Sequence, residues 1–212
     1  MKAEYCSYRL VFHEPAITSR AVMNDKETYF IRISDESRPG IYGIGECALF
    51  RGLGADDTPD YEERLAAVCA DISRHGLTAV LPDDSSSIRF GVETALADLR
   101  HGGRRLLWPG AWTEGKTAIS INGLVWMGSR DRMLERIDEK IAAGFRCIKL
   151  KIGGIGFDEE LALIRHIRDR YTPDDRELRL DAHGAFAPAD AMDYLRALAP
   201  YGVHSIEQPI RA

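Results

Sequence analysis

The second half of the sequence alternates between short strand-like segments and amphipathic helical segments, and this order constrains the fold more than any other feature. Apolar segments of strand character occur at 118–122, 145–153, 178–184 and 203–209. Strands joined through helices in this way form a parallel sheet with right-handed crossovers. Residues 111–212 therefore predict four parallel strands, which is half of an eight-stranded barrel.

The intervening helices have recognisable apolar faces and ends. The first is predicted at 131–143, before a glycine, and the second at 158–170, with acids at its start and arginines at its end. Both arrangements suit helix termini. In the third helix, Met192, Leu195 and Leu198 recur at helical spacing and are predicted to form the buried face. These patterns complete a β(αβ)₃ unit.

Charged residues stand at the carboxyl ends of three of these strands. Lys149 and Lys151 are two positions apart, so their side chains share one face of the second strand. Asp181 follows Lys151 by thirty residues and Glu207 follows Asp181 by twenty-six, one strand–helix unit per step. Parallel barrels place their chemistry at this edge. The pattern predicts a base that removes a carbon-bound proton and a divalent metal that holds the resulting anion.

Each of these residues also has a simpler interpretation. A Lys-x-Lys pair commonly marks a solvated strand edge that discourages aggregation. Asp181 is compatible with a turn residue, and Glu207 with a surface acid. The agreement of three spaced strand ends favours the functional interpretation. The glycine-rich loop 153–156 matches neither glycine fingerprint for phosphate, so it predicts only a tight turn.

The first half of the chain has a different order. Its three strand-like segments are 8–12, 28–33 and 41–46. Polar turns separate them, which is typical of an antiparallel meander. From about 60 to 105 the apolar residues recur at helical spacing, so strands are followed by helices in a small α+β unit. The turn between two tryptophans at 108–112 is the predicted boundary, which gives domains 1–110 and 111–212.

Composition excludes several classes of protein. The chain has 45% hydrophobic residues, a formal charge of −5 and a pI of about 5.7, so it can form a core but offers no basic face for nucleic acid. No apolar run reaches the roughly 18 residues of a membrane span, and the amino terminus carries no signal pattern. The four cysteines show no C-x-x-C pair or zinc-like spacing. We therefore expect a cytoplasmic protein with a small-molecule partner.

Three motifs resemble those of one enzyme family. They are Lys149-x-Lys151, the Asp-Ala-His-Gly-Ala-Phe run at 181–186 and the Ser-Ile-Glu-Gln-Pro run at 205–209. The motifs follow a unit of antiparallel strands and helices. In this order they resemble the muconate-lactonizing-enzyme branch of the enolase superfamily. Segments 120–124 and 144–153 are most similar to o-succinylbenzoate synthases of menaquinone biosynthesis. The resemblance implies an α+β capping domain followed by the first half of a (β/α)₇β TIM-type barrel.

The resemblance also implies a role for each charged strand-end residue. In that family the second lysine of the pair is the acid/base, the first supports it, and strand-end carboxylates bind Mg²⁺. By position, Lys151 is then the base and Lys149 its partner. Asp181 and Glu207 are the metal ligands, with Mn²⁺ as an alternative ion to Mg²⁺.

Four further residues are weaker candidates around that site. His183 stands where the family usually has asparagine, so it is expected beside the metal ligands rather than among them. Ser19 and Arg20 lie in a polar loop of the first half, and Asn122 ends the predicted first barrel strand. These three are candidate substrate contacts.

The expected chemistry explains why these residue types are needed. Removing a proton beside a carboxylate adds a second negative charge, which Mg²⁺ on carboxylate oxygens neutralises. A lysine acts as a base near neutral pH when a neighbouring cation lowers its pKa. The resemblance implies a hydro-lyase that removes water from 2-succinyl-6-hydroxy-2,4-cyclohexadiene-1-carboxylate. Dipeptide epimerases and N-acylamino acid racemases of the same branch remain alternatives, and they need a second base on the opposite face of the substrate.

The resemblance covers the whole chain but only the first part of a typical family member. The family's third metal carboxylate and its opposing lysine belong to the fifth and sixth barrel strands. A chain limited to four strands is therefore expected to have little activity alone. The alternative of another class is a non-catalytic half-barrel that acts by association, and a homo-oligomer is compatible with it.

Overall fold

The computed structural model describes residues 1–17 and 22–211, and the chain divides into two compact units. One unit comprises Met1–Glu14 and Asn24–Ala118, and the other comprises Pro15–Met23 and Ile119–Ala212. The domain limits predicted from the sequence, 1–110 and 111–212, stay a prediction. None of the helices within the described ranges has the length and apolar character that a bilayer crossing requires.

A three-stranded sheet forms in the first half of the chain. Its strands are β1 (Lys2–Ile17), β2 (Val22–Ser34) and β3 (Tyr42–Cys47). Their order in the sheet follows the chain, and β2 pairs antiparallel with β3, as the meander pattern predicts. A Cβ added to Gly45 would lie 1.8 Å from the carbonyl oxygen of Gly91. Glycine therefore allows a helix to pack directly against β3.

Two helices, α1 (Tyr61–His75) and α2 (Ser86–Arg100), follow the sheet. The helical periodicity expected over 60–105 is confirmed, since the apolar residues at that spacing are buried. In α1 they are Leu65, Val68, Cys69 and Ile72. Asp56 accepts a hydrogen bond from the backbone N–H of Ser87 at 2.8 Å, which satisfies a first-turn donor of α2. The expected α+β order is confirmed.

The second unit is a strand–helix alternation with four parallel strands. Its elements are β4 (Gly123–Val125), α3 (Arg130–Ala142), β5 (Cys147–Lys151), α4 (Phe157–Arg168), β6 (Glu177–Asp181), α5 (Ala191–Leu198) and β7 (Ser205–Glu207). The sheet order is β4-β5-β6-β7, and every pair is parallel. The predicted β(αβ)₃ half-barrel is confirmed.

One apolar core lies between this sheet and its helices. Ile148 and Leu150 of β5, and Leu178 and Leu180 of β6, are at most 1% exposed. They alternate with the charged residues along each strand, as side chains on opposite faces must. The helix-facing side of the sheet is therefore apolar, and the charged residues lie on the other side.

Two expectations for this unit are wrong. Residues 118–122 are not a strand: pairing with β5 begins at Gly123, and Ile119 and Ile121 are 60% and 71% exposed. Their alternation imitates a strand, but no neighbouring strand reaches them among the described residues. Met192 is 56% exposed rather than buried. The buried face of α5 is set by Ala191 and Leu198, which are two helical turns apart, and Met192 points away from that line.

Candidate active site

The parallel register brings the predicted residues to one level of the sheet. Lys151 on β5 is paired with Asp181 on β6, and Asp181 is paired with Glu207 on β7. All three residues end their strands. Because parallel strands share a direction, these side chains stand side by side at the carboxyl edge of the sheet.

Lys151 is the most enclosed of the charged residues at this edge. It is 8% exposed, and its Nζ donates to Asp181 Oδ2 at 3.1 Å. His183 Nε2 lies 2.5 Å from the same nitrogen, and the centroid of the Trp126 ring lies at 4.7 Å. An anion, an imidazole and an aromatic face therefore fix the position of this amine.

Lys149 connects the two carboxylates. Its Nζ donates to Glu207 Oε2 at 2.5 Å and lies 3.4 Å from Asp181 Oδ2. The hydrogen bond to Glu207 is the main reason that the pKa of Lys149 is raised above its usual value. Partial burial lowers this pKa, but the hydrogen bond and the charges of both carboxylates outweigh burial. Lys149 is thus held as a cation between two acids.

Asp181 is the buried anion of the site. Burial alone would raise the pKa of its carboxyl group, but the hydrogen bond from Lys151 and the charges of Lys151 and His183 outweigh burial, so the pKa lies below the usual value. The backbone N–H of His183 also donates to Asp181 Oδ1 at 3.2 Å. The carboxylate form of Asp181 is therefore the form that this structure stabilises.

The donor set at this edge fits part of a magnesium site. Carboxylate oxygens are the ligands that Mg²⁺ prefers, and the ammonium group of Lys149 shows that one cation can contact Asp181 and Glu207 together. Across residues 1–17 and 22–211, no group of three or more His, Cys, Asp or Glu side chains is arranged to hold a metal. Asp181 and Glu207 therefore fit two ligand positions, and water can occupy others.

A concave surface adjoins the site on the side of β6. The cavity has a volume of about 430 Å³ and is lined by Gly153, His183, Gly184, Ala185, Phe186, Ala187, Pro188 and Arg211. His183 and Gln208 have left-handed backbone angles, φ +50° and +47°. The N–H of Gly184 donates to the carbonyl of Gln208 at 2.6 Å. Paired left-handed turns therefore carry the chain beyond β6 and β7 together and shape the cavity wall.

The glycine-rich loop 153–156 is a turn, as expected, and its amides are already used. The N–H groups of Gly153 and Gly154 donate to Glu160 Oε1 at 2.5 and 3.3 Å. Glu160 is 2% exposed, and burial raises the pKa of its carboxyl group even though these hydrogen bonds lower it. Glu160 thus stabilises the loop that follows Lys151 by accepting hydrogen bonds from its amides. The sequence showed Glu160 only as one of several acids at the start of a helix and did not predict this role.

The other candidates do not all reach the site. Asn122 precedes β4, because that strand is Gly123–Val125 rather than 118–122, so it lies at the opposite end of the strand from this edge. The residue that follows the carboxyl end of β4 is Trp126, which sequence reasoning missed. Ser19 and Arg20 lie outside the described residues. His183 does lie beside the metal-ligand candidates, where it contacts Lys151.

Known proteins with similar sequences share one superfamily. Residues 132–212 match the family described as enolase C-terminal domain-like. The chain is 36% identical to the o-succinylbenzoate synthase of Desulfotalea psychrophila, an alignment that covers all of this chain and 65% of that enzyme. It is 37% identical over 79 residues to a hydrophobic dipeptide epimerase of Enterococcus faecalis.

Solved structures agree with this assignment. The crystal structure of MenC from Desulfotalea psychrophila has a TM-score of 0.76 and 33% identity, with 100% of this chain and 65% of that chain covered. The o-succinylbenzoate synthase of Thermosynechococcus elongatus, complexed with Mg in its active site, has a TM-score of 0.77 and 25% identity, with 100% and 62% covered. The chain thus spans about two thirds of the length of these relatives. In sequence, in fold and in the register of its charged strand ends, the chain is therefore similar to the enolase superfamily, whose C-terminal domain model matches residues 132–212.

Proposed function

We propose that this chain carries the proton-abstracting part of an o-succinylbenzoate synthase active site. The observation that carries the proposal is the shared register of Lys151, Asp181 and Glu207 with Lys149 held between the acids. The similarity to an o-succinylbenzoate synthase over the full chain supports this reaction. The substrate class is a cyclohexadiene carboxylate that carries a hydroxyl group, and the product is aromatic.

The reaction needs one group that both accepts and returns a proton. The neutral amine of Lys151 removes the proton next to the substrate carboxylate, and the electron pair of that C–H bond moves towards the carboxylate. The hydroxyl group then leaves with its bonding pair, and the proton on Lys151 converts it to water. One proton and one hydroxide are lost in total, so the balance is that of a dehydration. His183 and Trp126 hold the amine in place for both steps.

Asp181 and Glu207 are the residues that would hold a divalent cation. A divalent cation held by these two residues would stabilise the negative charge that develops on the substrate carboxylate as the proton leaves. Lys149 already stands between the two carboxylates, so its ammonium group supplies further positive charge beside the reacting carboxylate. We infer that Lys149 orients the two acids and that Lys151 performs the proton transfers.

A dipeptide epimerase is the second candidate within the superfamily. The supporting observation is the 37% identity to a hydrophobic dipeptide epimerase over 79 residues of this chain. Epimerisation needs a proton donor on the opposite face of the substrate carbon. The two reactions are therefore separated by whether a second basic residue faces Lys151 across the site.

The test is a dehydration assay in Mg²⁺ on the natural gene product, whose intact mass is determined first. We expect Lys151→Ala to lower turnover by about 10²–10⁴-fold, as loss of a general acid/base does. The matched control is Lys116→Ala, because the Lys116 side chain is 71% exposed and its ion pair is with the nearby Glu114. A product that dehydrates its substrate equally well with Lys151→Ala would contradict the proposal.

Metal binding gives a readout that does not require turnover. Isothermal titration of the 212-residue chain with Mg²⁺ is expected to show weak binding that Asp181→Asn removes. The exchange of one carboxylate oxygen for an amide lowers the negative charge offered to a hard cation. Equal binding by the wild type and Asp181→Asn would show that the cation sits elsewhere.

A further inference from the structure

One buried acid of the second unit takes no part in the proposed reaction. Glu160 lies in the first turn of α4 and is 2% exposed, whereas its neighbours Asp158 and Glu159 are exposed. A carboxylate is costly to bury unless hydrogen bonds or opposite charges compensate for the lost water. The groups that compensate for the burial of Glu160 therefore indicate what this residue does.

Backbone amides supply this compensation. The N–H groups of Gly153 and Gly154 both donate to Glu160 Oε1, and the N–H group of Ile155 also donates to this carboxylate. Successive amides that converge on one anion form a concave anion site, and the amino end of α4 adds the positive end of the helix dipole. The three N–H groups thus form an amide cradle, which the chain's own carboxylate fills.

The amide cradle packs against the loop that carries His183. Gly153 has a φ of +90°, and a Cβ added to it would collide with the Cβ of Ala185 and lie 3.1 Å from the carbonyl oxygen of Ala182. Ala182 and Ala185 flank the turn at His183, whose Nε2 contacts the amine of Lys151. The position of Gly153 is therefore tied to the position of the imidazole beside that amine.

The other side of the amide cradle packs against the segment that carries Trp126. A Cβ added to Gly154 would lie 3.3 Å from Met127 Sδ. Met127 is 2% exposed and directly follows Trp126, whose ring centroid lies 4.7 Å from Lys151 Nζ. The loop after Lys151 is thus enclosed by the two segments whose side chains, Trp126 and His183, hold the amine.

We propose that Glu160 is a positioning residue for Lys151. Its carboxylate fills the amide cradle and so fixes the loop directly after Lys151, at the place where the segments of Trp126 and His183 pack on that loop. Glu160 touches no reacting atom in this role, because it acts through the loop. As a role in catalysis it rests on the proposed proton transfer by Lys151, whereas the position of the amine does not depend on which reaction follows.

The kinetics of Glu160→Ala in the natural gene product test this role. We expect kcat for dehydration to fall by about 10–100-fold with little change in KM, because misplacing a reacting group by about 1 Å can cost about 10²-fold. Glu160→Gln keeps an oxygen in the amide cradle, but its hydrogen bonds are about half as strong as those of a carboxylate. Its kcat should therefore lie between those of the wild type and Glu160→Ala.

The matched control is Glu159→Ala. Glu159 is an exposed acid of the same helical turn, and its Oε2 accepts from the Gly156 N–H at 3.3 Å, beyond the amide cradle. Its removal deletes the same charge and the same number of atoms as Glu160→Ala. We expect Glu159→Ala to keep the kcat of the wild type.

Added acetate separates positioning from a general loss of stability. Acetate supplies the carboxylate that Glu160→Ala lacks, and the amide cradle is suited to bind it. The kcat of Glu160→Ala should therefore rise with acetate concentration and saturate, whereas chloride at the same ionic strength should not raise it. The wild type and Glu159→Ala should not respond to acetate. Circular dichroism checks that each variant is folded.

The enclosure of the amine gives a readout that needs no turnover. Lys151 is 8% exposed, so a lysine-selective acylating reagent should label it slowly compared with Lys116, whose side chain is 71% exposed. Mass spectrometry of Glu160→Ala should show faster labelling of Lys151 than in the wild type, with Lys116 unchanged. Acetate should slow the labelling again. The amides of Gly153 and Gly154 should also exchange hydrogen faster in this variant.

Two results would overturn the positioning role. One is an unchanged kcat in Glu160→Ala while Lys151→Ala is inactive. The other is a loss of kcat that acetate does not restore, with Lys151 labelled at the wild-type rate. If Glu160→Ala does not fold, Glu160→Gln replaces it in both measurements, and wild-type values of kcat and labelling in Glu160→Gln would contradict the role.

Failure of the proposed reaction would look different. A wild-type protein that does not dehydrate its substrate would remove the reaction, whatever Glu160 does. Labelling of Lys151 that is faster in Glu160→Ala and slowed by acetate would still support the positioning role in that case.

Discussion

Strands β6 and β7 lie side by side and end in the same way, yet their environments differ. The Asp181 side chain is 4% exposed, whereas that of Glu207 is 62% exposed. One position earlier, Leu180 is 1% exposed and Ile206 is only half-buried. β6 has a neighbour on each side, and β7 has one among the described residues. The comparison teaches that a strand-end carboxylate is buried, and so contributes more to stability, when its strand is central in the sheet. The sequence motif at an edge strand looks the same.

The largest difference should appear when each acid loses its charge. Asp181→Asn leaves the ammonium group of Lys151, on a side chain that is 10% exposed, without its anion. We expect a loss of about 3 kcal/mol in the free energy of unfolding, as for other broken buried pairs. Glu207→Gln removes an exposed partner of Lys149 and should cost less than about 1 kcal/mol. Urea denaturation of both variants measures the two values.

Equal losses from the two substitutions would break the comparison. They would mean that the edge acid is as enclosed in solution as the central one, which requires that something cover β7.

The apolar positions should show a smaller contrast. Leu180 and Ile206 are paired in the sheet, and both belong to the face that packs on the helices. Leu180→Ala removes a side chain that is 1% exposed and should cost about 2–3 kcal/mol through lost burial and a cavity. Ile206→Ala should cost about 1 kcal/mol, because much of that side chain already contacts solvent. A larger effect at Ile206 than at Leu180 in urea denaturation would contradict the central-versus-edge explanation.

The sequence predicts the helices and strands of the second unit, but it does not predict the different exposure of the residues on β6 and β7. Strand and helix periodicity predicts the order of all seven elements of the second unit, because each element has one apolar face. The charged strand ends predict that Lys151, Asp181 and Glu207 share a level, since parallel strands have a common direction. The sequential order of four strands implies that the fourth lies at an edge of this sheet, but neither pattern states how exposed a carboxylate at its end is.

The roles that could not be predicted from the sequence are those that depend on contacts between residues distant in the chain. Trp126 reaches Lys151 only because β4 starts at Gly123, three residues before it. The apolar alternation at Ile119 and Ile121 predicts an earlier strand, because periodicity does not report whether a partner strand is present. Glu160 resembles an ordinary acid at a helix start, and only the fold shows that it accepts hydrogen bonds from the preceding loop.

The smallest effect should be a pH dependence that belongs to Asp181 alone. The folded structure holds the pKa of Asp181 below 3.8 because the hydrogen bond and charges of its neighbours outweigh its burial. A depressed folded pKa contributes stability that is present above the unfolded value and is lost as the pH falls through the folded value. The difference in unfolding free energy between wild type and Asp181→Asn should therefore be constant near neutral pH. It should become smaller once the pH falls below 3.8, the ordinary pKa of an Asp carboxyl group. Glu207→Gln is the matched control, and urea midpoints of all three proteins from about pH 6 to about pH 3 provide the measurement. A difference for Asp181→Asn that grows as the pH falls would reverse the assigned sign and would mean that burial, not the lysine contacts, controls this carboxylate.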